Sequence, residues 1–136
     1  MLKEGSLENP EKLPEKRPVF IVVEDSFNYA QTHKQHLNKF GLDAVILRGI
    51  GNFVEQIAEI QKTKNVVGVI TDGLHGSWLN VYEAAISNGI RKIWLISGNE
   101  DMINFSKYLP YTRAISKVTL HQNPDKYKIF LDALKE

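Results

Sequence analysis

Between Pro18 and Ser116, short apolar runs alternate with stretches in which apolar residues return every three or four positions. The runs are PVFIVV from Pro18, DAVILR from Asp43, VVGVIT from Val66, KIWLI from Lys92 and TRAIS from Thr112. Most are apolar throughout rather than alternating with polar residues, the pattern of strands covered on both faces. The intervening segments have helical spacing. Ser26 is placed to cap a helix that runs to Phe40 and stops at Gly41. Asn52, with Glu55 three residues on, resembles a capping box for a helix carrying Phe53, Val54, Ile57, Ala58 and Ile60. Leu79, Tyr82, Ala85 and Ile86 mark a third helix ending at Gly89. Met102, Phe105 and Tyr108 mark a fourth that stops before Pro110. A fifth opens at Asn123 with Pro124 in its first position and carries Tyr127, Phe130, Leu131 and Leu134. The segments Gly73 to Ser77 and Val118 to Asn123 read as loops.

Five strands alternating with five helices predict an α/β fold: a doubly wound five-stranded parallel sheet flanked by five helices. The first 17 residues carry Lys, Glu and Pro with almost no apolar periodicity and read as a flexible tail or linker. The chain has 136 residues, 43% hydrophobic and 24% charged, so residues 18 to 136 suffice for one domain with a real core.

Charge narrows the functional classes. The net charge is +1, from 17 basic and 16 acidic residues, so no global field favours nucleic acid or an anionic membrane, and neither is expected as a direct partner. The absence of cysteine excludes a disulfide framework and thiolate metal sites, and fits a cytoplasmic location. No apolar stretch approaches the roughly 20 residues of a membrane helix.

The strands end on reactive groups. Glu24 and Asp25 follow PVFIVV, Asp72 follows VVGVIT, Ser97 follows KIWLI and Lys117 follows TRAIS. Parallel neighbours bring their carboxyl ends to one edge, where open α/β sheets bind ligands. Three carboxylates there need a counter-charge, since two like charges about 5 Å apart repel by roughly 3 kcal/mol at an effective dielectric near 20. Mg²⁺ is the natural candidate, held by Glu24, Asp25, Asp72 and the carbonyl of Leu74. Asp72 is a candidate nucleophile toward phosphorus. Ser97 and Lys117 suit the phosphoryl oxygens as hydroxyl donor and cation. Lys92 and Lys107 remain alternatives for the amine.

These residues resemble the receiver domains of bacterial two-component response regulators over residues 18 to 136. The likeness lies in VVEDS for the acidic pair, VITDG for the phosphoacceptor, LISGNED for the switch hydroxyl and AISK for the lysine. It implies a flavodoxin-like, receiver-type fold, Mg²⁺ as cofactor, and Asp72 as acceptor of a phosphoryl group from a histidine kinase or phosphotransfer protein. It further implies a phosphoacceptor rather than an enzyme, a downstream protein partner, and a possible homodimer through the region of Tyr108, Tyr111 and Tyr127. The chain departs from the family pattern in three places. His75 and Gly76 stand where Met-Pro is common, Val118 replaces the proline after the lysine, and Ala114 replaces the aromatic switch residue. These departures favour a second reading, a pseudo-receiver that binds a protein partner without phosphorylation. A third, a flavodoxin-like domain for a phosphate-bearing ligand, lacks a glycine-rich loop after the first strand.

Plainer roles stand beside these. Glu24 and Asp25 could cap the first helix, and Ser97-Gly98-Asn99 could simply turn the chain. His33 and His36 are explained by exposure or partial packing on the first helix. Trp78 and Trp94 read as core or loop-packing residues. Asp72 and His75 faintly suggest a metal pair, without a third ligand of that kind nearby.

Overall fold

The structure is a computed structural model that describes residues 17–136. The tail expected over residues 1–17 lies, except for the exposed Arg17, outside the described residues. The five strands form where the apolar runs predict them: β1 Pro18–Val23, β2 Asp43–Leu47, β3 Asn65–Asp72, β4 Ile93–Ser97 and β5 Thr112–Ser116. They make one sheet in the order β2-β1-β3-β4-β5, with every pairing parallel. This is the flavodoxin-like doubly wound order, whose topological switch lies between β1 and β3.

Strand alternation divides the core into two layers. Phe20 and Val22 of β1, Ile70 of β3, and Trp94 and Ile96 of β4 face one side, packing with Leu37, Leu120, Tyr127 and Phe130. Ile21, Val23, Val69 and Ile93 face the other, against Phe53, Ile57, Val81, Ala84 and Ala85. Both faces are therefore buried, and each fully buried Ile, Val or Phe contributes about 1.5–3 kcal/mol. Trp78 and Trp94 are core residues, as read from the sequence.

The helices are α1 Phe27–Lys39, α2 Phe53–Thr63, α3 Trp78–Ser87, α4 Glu100–Ser106, α5 Lys117–Gln122 and α6 Lys128–Asp132. Ser26 caps α1 by accepting from the Tyr29 amide, and Asn52 caps α2 by accepting from the Glu55 amide at 3.3 Å. Six α-helices thus stand among the described residues where five were expected. The segment Val118 to Asn123, read as a loop, is mostly α5. Its helicity follows from Ser116, whose hydroxyl accepts from the Thr119 amide, and from Leu120, which is buried in the core. Pro124 cannot extend the ladder, so Asn123 leaves the helical region (φ −131, ψ 76). The chain resumes as a 3-10 turn Pro124–Tyr127 before α6, and a last 3-10 turn spans Ala133–Lys135.

Candidate functional site

The parity of the strands aims the acids. Glu24 continues the face of Phe20 and Val22 past the end of β1, where its amide still donates to the Leu47 carbonyl at 3.0 Å. Asp72 continues the face of Ile70 at the end of β3. Both carboxylates thus lean toward the layer formed by α1 and α5, and Asp25, on the loop, joins them. Glu24, Asp25 and Asp72 each offer an oxygen, and the three oxygens lie within 4.8 Å of one another. Glu24 is buried, Asp72 half-buried and Asp25 exposed, so the cluster grades from core to solvent.

Lys117 opens α5 and reaches across β1 and β3. Its Nζ donates to Asp72 Oδ1 at 2.7 Å and to Glu24 Oε1 at 3.4 Å. It also sits 4.3 Å from the centre of the Tyr29 ring, a cation–π contact. Partial burial works against its charge, but the bonds it donates to Asp72 and Glu24, with the negative charge of both, outweigh that and hold the ammonium's pKa above the ordinary lysine value. The alternatives are placed elsewhere: Lys92 donates to the Ala133 carbonyl at 2.6 Å, and Lys107 is exposed beyond α4.

Burial would raise the pKa of Glu24. His33, the Ser26 amide and Lys117 together overcome it, so the carboxyl titrates below its usual value. The Ser26 amide donates to Glu24 Oε2 at 3.1 Å, so the acid helps order the start of α1 while remaining in the cluster. The capping and cluster roles coexist.

The loop after Asp72 is tightly wound. The Leu74 amide approaches Asp72 Oδ2 at 3.4 Å, and the Leu74 carbonyl accepts from the Ser77 amide at 3.0 Å. Leu74 (φ 49) and His75 (φ 55) occupy the left-handed region, where non-glycine residues are uncommon. His75 is exposed and does not join the cluster of Glu24, Asp25 and Asp72. Ser97 is buried on β4. Its hydroxyl accepts from the Asn99 amide at 2.9 Å and lies 3.8 Å from Met102 Sδ, with no hydrogen bond to Asp72 or Lys117 among the described residues. It therefore borders the loop after Asp72 and also serves the turn that the plainer reading gave it.

Two further residues stand behind the cluster. His33 is buried on α1, its Nε2 3.8 Å from Glu24 Oε1 and its Nδ1 2.5 Å from the Tyr127 hydroxyl. Exposure or partial packing does not describe it, nor does a partner surface describe the buried Tyr127. The signal was present in the spacing: Ala30, His33 and Leu37 form the buried stripe of α1. Tyr108 and Tyr111 are exposed.

No family model matches the chain, and no curated protein matches it. Among solved structures, the crystal structure of a response regulator from Thermotoga maritima is similar, with a TM-score of 0.59 and 18% sequence identity, covering 88% of this chain and 95% of that one. The fold is of the receiver type. That arrangement brings the carboxyl ends of the parallel strands to one edge, where Glu24, Asp25 and Asp72 gather. Among the described residues no helix is long and apolar enough to cross a membrane.

The residues fit a divalent cation. Carboxylate oxygens are the hard donors Mg²⁺ prefers, and three of them within 4.8 Å of one another are near enough to share one ion. The Leu74 carbonyl, already accepting from Ser77, keeps a second lone pair.

Proposed function

We propose that this chain is a phosphoacceptor receiver domain of two-component signalling, with Asp72 receiving the phosphoryl group from a histidine kinase or phosphotransfer protein. The observation that carries the reading is the meeting of Asp72, Glu24, Asp25 and Lys117 at one strand edge, from three strand ends far apart in sequence. A carboxylate oxygen of Asp72 attacks phosphorus. The P–N bond of the donor phosphohistidine breaks, and its electron pair leaves with the imidazole, which keeps or regains a proton. In this reading Lys117 shifts from the carboxylate to a phosphoryl oxygen, and Ser97 turns its hydroxyl toward another. Glu24, Asp25, Asp72 and the Leu74 carbonyl would hold Mg²⁺, which would supply charge neutralisation for the transferring group. The domain in this reading is a substrate and switch rather than an enzyme. It acts in the cytoplasm through a downstream protein partner or a homodimer.

A second reading, a pseudo-receiver that docks a partner without phosphorylation, is favoured by Ala114 and by the trans peptide between Lys117 and Val118, which leads directly into α5. One experiment separates them. The protein is incubated with acetyl phosphate and Mg²⁺ and its intact mass measured. A phosphoryl adduct that disappears in Asp72→Asn supports the phosphoacceptor, whereas an unmodified mass under all conditions leaves the pseudo-receiver.

A further inference from the structure

The chain of contacts from the acidic cluster does not end at Glu24. Behind it lies the buried His33, and behind His33 the buried Tyr127, which closes the 3-10 turn leading into α6, the terminal helical segment. The polarity of this chain is fixed by what each group can do. Burial holds the Tyr127 phenol far above its ordinary pKa, so it remains an O–H, and its hydrogen-bond partner is His33 Nδ1 at 2.5 Å. Glu24 ionised is acceptor-only and faces the other ring nitrogen at 3.8 Å. The consistent arrangement has Tyr127 donating to Nδ1, leaving Nε2 as the N–H that points toward Glu24 Oε1. The Glu24 carboxylate is then addressed on every side: the Nε2–H dipole and the Lys117 ammonium at Oε1, and the Ser26 amide at Oε2.

We infer that His33 and Tyr127 are positioning residues for Glu24, setting the orientation in which it serves a divalent cation and tying the cation site to the seating of the terminal helical segment. The inference rests on the reading of the cleft given under Proposed function. Residues beyond the ligands that orient them typically change metal affinity 10- to 100-fold when removed. Tyr127 also packs against His36, with ring centres 4.8 Å apart, and against Phe130 at 5.8 Å. Tyr127→Phe therefore keeps the packing and deletes only the hydroxyl. Without that donor, Glu24 alone holds the proton on Nε2 and the ring is free to turn, so the dipole aimed at Glu24 is no longer fixed in direction.

The test is calorimetric titration of Mg²⁺ into the full chain and into Tyr127→Phe, with ¹⁵N spectra of labelled histidines before and after the ion is added. The expected result is roughly tenfold weaker binding by Tyr127→Phe, at the lower end for such residues. The parent's His33 should be an Nε2–H tautomer whose Nε2 signal moves with Mg²⁺, and that movement should shrink in the variant. A merely structural role would leave the Nε2 response to the ion unchanged. His33→Gln is the second variant and is expected to weaken binding at least as much. Parent-like Mg²⁺ affinity in both variants, with His33 nitrogens that ignore the ion, overturns this inference while leaving the reading of the cleft intact. A parent that takes up no Mg²⁺ overturns both.

Discussion

Lys117 donates to Asp72 across 2.7 Å, joining residues 45 positions apart in sequence. The same ammonium reaches Glu24 at 3.4 Å, so one cation stands among three carboxylates. Each pair of unscreened like charges at about 5 Å costs roughly 3 kcal/mol at an effective dielectric near 20. One lysine offsets part of this and leaves a net negative cleft. A divalent cation bound there would share the task of neutralisation with Lys117.

Lys117→Met therefore destabilises the protein in magnesium-free buffer. The pair is half-buried, so the loss lies between that of exposed and fully buried ion pairs, about 1–3 kcal/mol. Added Mg²⁺ should return more stability to the variant than to the parent, because it restores the missing charge. Urea unfolding with and without Mg²⁺ measures both quantities. Equal responses to Mg²⁺ in the two proteins contradict the shared role.

The same cluster sets the pH limits of stability. Glu24 titrates below 4.5 in the fold, so its contribution is present above 4.5 and lost as pH falls through the folded value. Lys117 titrates above 10.5, so its contribution is present below 10.5 and lost as pH rises through the folded value. Thermal midpoints should decline at both extremes. Glu24→Gln should flatten the acid limb and Lys117→Met the alkaline one. A Lys117→Met profile that still follows the parent's alkaline decline removes Lys117 as its source.

His36 produces a separate effect nearer neutrality. Burial against Tyr127 pushes its pKa below 6.5, and the nearby Lys39, His33 and His121 add to the shift. The unfolded chain takes up this proton first, so the stability is present above 6.5 and is lost as pH falls through the folded value. The melting temperature should drop between pH 7.5 and pH 5.5, and less so in His36→Gln. An identical slope in the variant assigns the drop to other groups.

The parts of this fold that local chemistry controls were legible from the sequence. The apolar runs gave the strands because strands covered on both faces leave few polar positions, and Ser26 and Asn52 marked helix starts because their side chains satisfy free amides. Parallel pairing then placed Glu24, Asp25 and Asp72 together without any knowledge of strand order. Two features were less accessible. Helix α5 begins directly after β5, and its apolar anchor is essentially Leu120 alone, too weak a period to announce a helix. The link from His33 to Tyr127 spans 94 residues and depends on how α1 and the terminal segment pack, which no local pattern encodes.

Two glycines separate the needs of the sheet from those of the site. A Cβ on Gly68, within β3, would stand 2.7 Å from Phe20 Cε1 and 2.9 Å from the Lys92 carbonyl oxygen. That carbonyl accepts from the Val69 amide at 2.9 Å, so it cannot yield without loosening the β3–β4 ladder. Gly68→Ala should cost about 3 kcal/mol, the upper part of the usual range for overpacking. A Cβ on Gly73 would stand 2.6 Å from Met102 Sδ, the far end of a flexible side chain, and Gly73 has ordinary helical angles (φ −66, ψ −27). Gly73→Ala should therefore cost under about 1 kcal/mol, within the range of substitutions that leave packing intact. Its consequence falls on the site, because the displaced Met102 is the thioether beside the Ser97 hydroxyl. The chain has two methionines, at positions 1 and 102, so a methionine-methyl spectrum reports on Met102 almost alone. In Gly73→Ala that signal should shift and, if Asp72 is the phosphoacceptor proposed above, acetyl phosphate should modify it more slowly, while urea unfolding stays near the parent's. Greater destabilisation by Gly73→Ala than by Gly68→Ala would show that the loop after Asp72, rather than the strand, is the rigid element.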